Sequence, residues 1–172
     1  TDNSFSDWIV TVANSPNPDK VYTIGYSQYE AFAALSEMQS FNIQAMILGV
    51  MGTTIVVASG ITGVNLVYND EMTITLDCGY FAQFPASSPY VTVVGGTMGP
   101  ESNKPEVTAT SCSQPYSFVT SGGGFSNVFP SSNFQKSFIQ TYFQNVLGTN
   151  HQPYRSGTND YNSAGRGYPD LA

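Results

Sequence analysis

Basic residues are the scarcest class in this 172-residue chain: five Lys and Arg stand against twelve Asp and Glu, for a formal charge of −7. That deficit argues against nucleic acid or an anionic membrane surface as partner, since both are bound through clustered cations. Charge of either sign is thin, at 10% of residues, while hydrophobic residues make up 41%. With eleven Tyr and eleven Phe, the composition is too apolar and aromatic for a disordered chain and describes a globular one. Few charges with an excess of acids also suit an acidic compartment, where carboxylates are partly neutralised. No apolar run reaches the roughly eighteen residues that a transmembrane helix needs. The longest stretch, Ala45 to Ala58, is interrupted by Gly49, Gly52, Thr53 and Thr54 and reads as buried core. The length suits one domain with a sizeable core.

Histidine and cysteine are nearly missing as well. His151 is the only histidine and falls in a polar stretch, so a solvated loop residue is preferred over a triad member. Cys78 and Cys112 are too few for a metal cluster and lack C-x-x-C spacing; they either pair or remain buried thiols. No Asn-x-Ser/Thr sequon offers an N-glycan site. Thr1 opens the sequence without Met or a basic leader, which leads to the expectation of a processed or partly observed polypeptide.

The remaining pattern alternates strand and helix. Asp7 to Ala13 reads as a short helix with Asp7 as N-cap, and Asn14 to Lys20 is a loop with two prolines. Val21 to Tyr26 is β-branched and aromatic, a buried strand. From Gln28 to Val50 the residues Phe32, Leu35, Met38, Phe41, Ile43, Met46, Ile47 and Val50 keep near-helical spacing, with Gly52 as the stop. Thr54 to Ser59 and Tyr90 to Val94 are further strands, the former apolar on both faces as a parallel strand between helices requires. Leu66 to Leu76 alternates and is either a hairpin or a surface excursion; Gly99 to Pro115 is loop-like, and Tyr116 to Thr120 an edge strand. Asn133 to Leu147 sets Phe134, Phe138, Ile139, Tyr142, Phe143 and Val146 on one helical face. The abundant aromatic residues are thus read as core rather than as stacking platforms. The class is α/β, with a mostly parallel sheet and helices on both faces.

Four segments carry a family resemblance. Ala58-Ser59-Gly60-Ile61-Thr62-Gly63, the run F-P-A-S-S-P-Y-V-T-V-V-G-G-T from Phe84 to Thr97, S-G-G-G-F-S-N-V-F-P from Ser121 to Pro130, and G-R-G-Y-P-D-L-A from Gly165 to Ala172 occur in this order. They resemble the corresponding segments of the sedolisins, the serine-carboxyl peptidases, in the tripeptidyl-peptidase branch. The resemblance implies a subtilisin-like fold. It implies that residues 1–172 are the central part of one peptidase domain, with the family's Glu and Asp upstream and its nucleophilic Ser downstream. The family's calcium site would likewise lie beyond Ala172, so no cofactor or metal is expected here.

Departures fall at the implied cleft, which comprises Tyr26, Ser27, Gln28, Ser59, Gly60 and Ile61. Family members carry a protonated Asp where this chain has Ile61, and use it as a donor to the oxyanion; such a donor contributes about 2–4 kcal/mol in acyl transfer. Ile61 has none to give. Thr62 is adjacent, yet its hydroxyl would reach inward only if the turn shifted by one residue. Gly25-Tyr26-Ser27-Gln28-Tyr29-Glu30 resembles S-Y-G-D-D-E with the Gly and both following acids replaced. Glu30 is read as a helix-start acid favourable to the dipole. The Gly122-Gly123-Gly124 run lacks the Lys-Ser/Thr of a phosphate loop, and Arg166 with Asp170 reads as an internal bracing pair. A secreted or lysosomal family favours a Cys78–Cys112 disulfide and a secreted, lysosomal or vacuolar-type lumen. The expected activity is an impaired or non-catalytic peptidase-like scaffold. Its partners would be the remaining domain segments or other subunits, and peptide if it is active. The alternative is a fragment of an active acid serine peptidase.

Overall fold

The computed structural model describes residues 5–70, 73–77, 79–114, 117–147 and 161–172. The elements in chain order are α1 (Phe5–Ala13), β1 (Val21–Ile24), β2 (Gln28–Tyr29), α2 (Leu35–Val50), β3 (Thr54–Ala58), β4 (Leu66–Asp70) and β5 (Thr73–Asp77). They continue as β6 (Gln83–Phe84), β7 (Thr92–Val94), β8 (Thr97–Met98), β9 (Val107–Thr108), β10 (Thr110–Gln114), β11 (Ser117–Thr120), β12 (Gly124–Pro130), α3 (Lys136–Tyr142) and β13 (Gly165–Tyr168).

Three hydrophobic strands make the central parallel sheet, in the order β1-β3-β7. Tyr22 stands opposite Ile55, and Val57 opposite Val93. Helix α2 links β1 to β3 and presses Met38, Phe41, Ala45 and Leu48 into the core beside Ile55, Val57 and Val93. Phe41 meets Phe84 edge-on at 5.1 Å. Each such side chain, once fully buried, contributes about 1.5–3 kcal/mol. Helix α1 adds Ile9 to the same core.

Several local expectations shift. Helix α1 is already helical at Phe5, so Asp7 stands in its first turn and favours the dipole rather than capping the end. The long helix expected from Gln28 starts only at Leu35. Gln28 and Tyr29 pair with Phe84 and Gln83, and Glu30–Phe32 is a 3-10 turn. The apolar residues expected on one face of α2 divide into two: Met38 and Phe41 are buried, whereas Leu35, Ile43, Met46, Ile47 and Val50 are exposed. Gly52, with φ of +82°, does end the helix. The Leu66–Leu76 stretch is the antiparallel hairpin β4–β5. The expected loop Gly99 to Pro115 contains β9 and most of β10, the latter paired with β11. Phe134 and Phe138, expected in the core, are exposed. Among the described residues no helix is long and apolar enough to cross a membrane.

Candidate functional site

The carboxyl ends of parallel strands are where open α/β sheets bind ligands, and here three backbone segments meet at those ends. Ser59, just past β3, donates its N–H to Val94 O at 3.0 Å. Gly60 follows with φ of +101°, a left-handed conformation that favours glycine. A Cβ there would also overlap the Gln83 side chain, and one on Gly122 would strike the Ser59 carbonyl. Gly122 N donates to Gly60 O at 2.9 Å, and Thr120 N to Ile61 O at 2.9 Å. Ser121 Oγ accepts from Gly96 N at 2.9 Å and lies 3.4 Å from Ser59 Oγ. The turn is therefore held from below by the Ser121-Gly122 segment.

Ile61 projects from this turn with 62% of its surface exposed. Thr62 beside it is already engaged: its hydroxyl accepts from Gln83 Nε2 at 3.0 Å and lies 3.3 Å from the Tyr29 hydroxyl. Gln83 is the residue that sequence reasoning missed. It is buried, its Oε1 accepts from Ser27 Oγ at 2.5 Å, and its N–H donates to the Tyr168 hydroxyl at 2.8 Å. The only signal in the sequence was one amide inside the apolar run Phe81 to Pro85. Burial pushes the Tyr168 phenol well up from its ordinary 10.0, with the Glu30 charge adding to the shift. Of the expected cleft residues, Ser27, Ser59, Gly60 and Ile61 meet around Gln83 and the turn. Gln28 is held in β2, and Tyr26 is exposed with its ring 5.8 Å from that of Phe5.

A serine and a glutamate do come together elsewhere. Ser126 Oγ donates to Glu30 Oε1 at 2.5 Å, and Asn127 N to Glu30 Oε2 at 2.8 Å. Both side chains are buried, and Ser126 Oγ also accepts from Phe129 N at 2.8 Å. No substrate reaches such a hydroxyl, so the pair braces β12 against the turn after β2. Glu30 is thus an internal acceptor, and its partners replace the dipole role expected from sequence.

Arg166 is 1% exposed and donates Nη2 to Asp170 Oδ2 at 2.6 Å and Nε to Ser88 O at 3.3 Å. Asp170 in turn accepts from Val93 N at 2.8 Å and from Gln135 Nε2 at 3.2 Å. This network closes the outer edge of β7. Beside it opens a cleft of ≈ 930 Å³, floored by Gly122 to Gly124 and walled by Phe125, Phe138 and Tyr142. Ile61 is not part of that cleft. Among the described residues no group of three His, Cys, Asp or Glu could hold a metal. Cys78 lies outside the described residues, so its expected pairing with Cys112 does too, as does His151.

A parallel α/β core with its strand-end turns clamped by a glycine segment is the architecture of the subtilisin-like peptidase class. No family model matches the sequence. Tripeptidyl-peptidase 1 of rat is 33% identical over 168 residues, and that of cattle 31% identical over 168 residues. The human protein of that name is 29% identical over 174 residues. In each case the match takes in 98% of this chain and 27% of the relative. A solved Pseudomonas sedolisin, a serine-carboxyl proteinase in complex with two molecules of pseudo-iodotyrostatin, superposes with a TM-score of 0.66 at 23% identity. That superposition covers 96% of this chain and 40% of the sedolisin chain. The chain carries part of a sedolisin domain and is a distant homologue of tripeptidyl-peptidase 1. It spans about a quarter of the length of the curated relatives it matches.

Proposed function

We propose that this chain is an impaired or non-catalytic sedolisin-type domain segment that acts as a binding or structural scaffold. One observation carries the reading. At the turn after β3, the exposed side chain is Ile61, and the neighbouring hydroxyl of Thr62 is bonded to Gln83 and Tyr29. Acyl transfer needs a donor aimed at the developing oxyanion, and neither side chain supplies one. Gln83 fills the space beneath, so a one-residue shift of the turn would break the bonds to both Ser27 and Thr62.

The second reading is a segment of an active acid serine peptidase, with Ser, Glu and Asp in flanking polypeptide. It is favoured by the match to only 27% of the relatives' length. Under either reading the remaining domain segments, or other subunits, are the partners, and a secreted or lysosomal-type lumen is the compartment. Nucleic acid is not a partner, given the charge of −7. The test is hydrolysis of a tripeptide amide at acid pH by the purified protein, its intact mass established under reducing, denaturing conditions. The scaffold reading expects no turnover above buffer. Turnover abolished by replacing a downstream Ser would establish the peptidase instead.

A further inference from the structure

Helix α2 contains an internal comparison that exposes a docking seat. Its buried face carries Met38, Phe41, Ala45 and Leu48. On the opposite face the first two turns hold Ser36, Gln39 and Ser40, as a solvated face should. The last two turns of that same face hold Ile43, Met46, Ile47 and Val50, all exposed, with Val50 at 90%. The spacing is i, i+3, i+4, i+7, the ridge that a second helix packs against. Gly49 beside it has open space where a Cβ would stand, which lets another backbone approach. Met51 and Val21 extend the apolar surface past the helix end. A face that water alone covered would not change from polar to apolar halfway along.

We infer that this half of α2 seats an amphipathic helix with basic flanks, supplied from outside these 172 residues. The chain cannot supply it. The longest stretch outside the described residues, 148–160, is G-T-N-H-Q-P-Y-R-S-G-T-N-D, without Leu, Ile, Val or Met. A helical occupant is what a parallel sheet demands, since such sheets carry helices along their faces. The superposed sedolisin chain has room for it, because this chain covers 40% of that molecule. Charge selects the flanks: the one charged residue of α2 is Glu37, and the chain carries −7, so a second copy is repelled where a basic-flanked helix is attracted. The inference rests on the scaffold reading only in naming what the scaffold binds.

The probe is a synthetic Lys-flanked peptide of about fifteen residues, long enough to form a helix, with Leu at i, i+3, i+4 and i+7. Methyl NMR on Ile, Met and Val of the chain reads its site. Perturbations confined to Ile43, Met46, Ile47 and Val50, with affinity reduced about tenfold or more by Ile47→Glu, support the seat. A peptide with the same composition and scattered Leu should not perturb them. Perturbations elsewhere, or none, overturn it. Self-association lost in Ile47→Glu, with no peptide binding, also overturns it and makes the face a contact between copies. Peptide hydrolysis is read separately: turnover with intact docking would sink the scaffold reading and leave the seat standing.

Discussion

Gln83 holds Thr62 away from solvent: the Gln83 amide nitrogen lies 3.0 Å from the Thr62 hydroxyl oxygen, while the amide oxygen takes the Ser27 hydroxyl. One buried side chain thereby fixes the turns after β1 and β3 together. Gln83→Ala leaves both hydroxyls short of a partner inside the protein, and each orphaned polar group costs about 1–3 kcal/mol. A lower urea midpoint with an unchanged slope is the expected result. A midpoint matching the parent would mean that water replaces the amide and the turns hold without it.

Ile61 offers a cleaner separation of stability from chemistry. At 62% exposure its replacement by Asp changes little packing, and surface substitutions of this kind stay within about 0.5 kcal/mol. Ile61→Asp should therefore unfold like the parent, and on the scaffold reading it should still not cleave a tripeptide amide at acid pH. A gain of turnover on this single change would show that the remaining machinery exists and only the donor was lost.

How far the sequence could be read differs between the sheet and its surroundings. Val21–Ile24, Thr54–Ala58 and Thr92–Val94 were legible because β-branched runs between turn residues admit few other structures. The motifs made the family legible, and the comparisons bear that out. Helical spacing alone was a weaker guide. Tyr29 and Gln28 have helix-compatible neighbours, yet β6 captures their backbone, a partnership 55 residues away that periodicity cannot report. The two faces of α2 were merged for the same reason: Ile43 and Phe41 are equally apolar, and only the tertiary structure says which one is covered. Gln83 was invisible because its role depends on Ser27 and Thr62, which meet it only in the fold.

Tyr168 gives the protein an alkaline limit. Burial favours its neutral phenol and pushes the folded pKa up from 10.0, the Gln83 N–H opposing and the Glu30 charge adding to the shift. The unfolded chain then loses the proton first. This contribution to stability is complete below pH 10.0 and is lost as pH climbs above it. Tyr168→Phe should remove that fall while lowering stability at neutral pH by about 1–3 kcal/mol, because Gln83 N–H loses its acceptor. Melting curves across the alkaline range check both parts; an unchanged alkaline slope in the variant would assign the fall to other phenols.

Arg166 and Asp170 should respond asymmetrically to mutation. Arg166 is buried and spreads its donors over Asp170, Ser88 O and Gly167 O, so Asp170→Ala strands a guanidinium in the core. Breaking a buried pair from one side costs about 3–5 kcal/mol. Asp170 also holds Val93 N, so the same change frees an amide at the edge of β7. Arg166→Met keeps the volume and leaves a carboxylate whose side chain retains 22% exposure and two other donors, Val93 N and Gln135 Nε2. The second variant should therefore lose distinctly less stability than the first, and the double variant less than the sum of both. Chemical denaturation of all four proteins measures the coupling. Equal losses for the two single variants, with simple additivity, would mean that the pair does not brace the sheet edge as a unit.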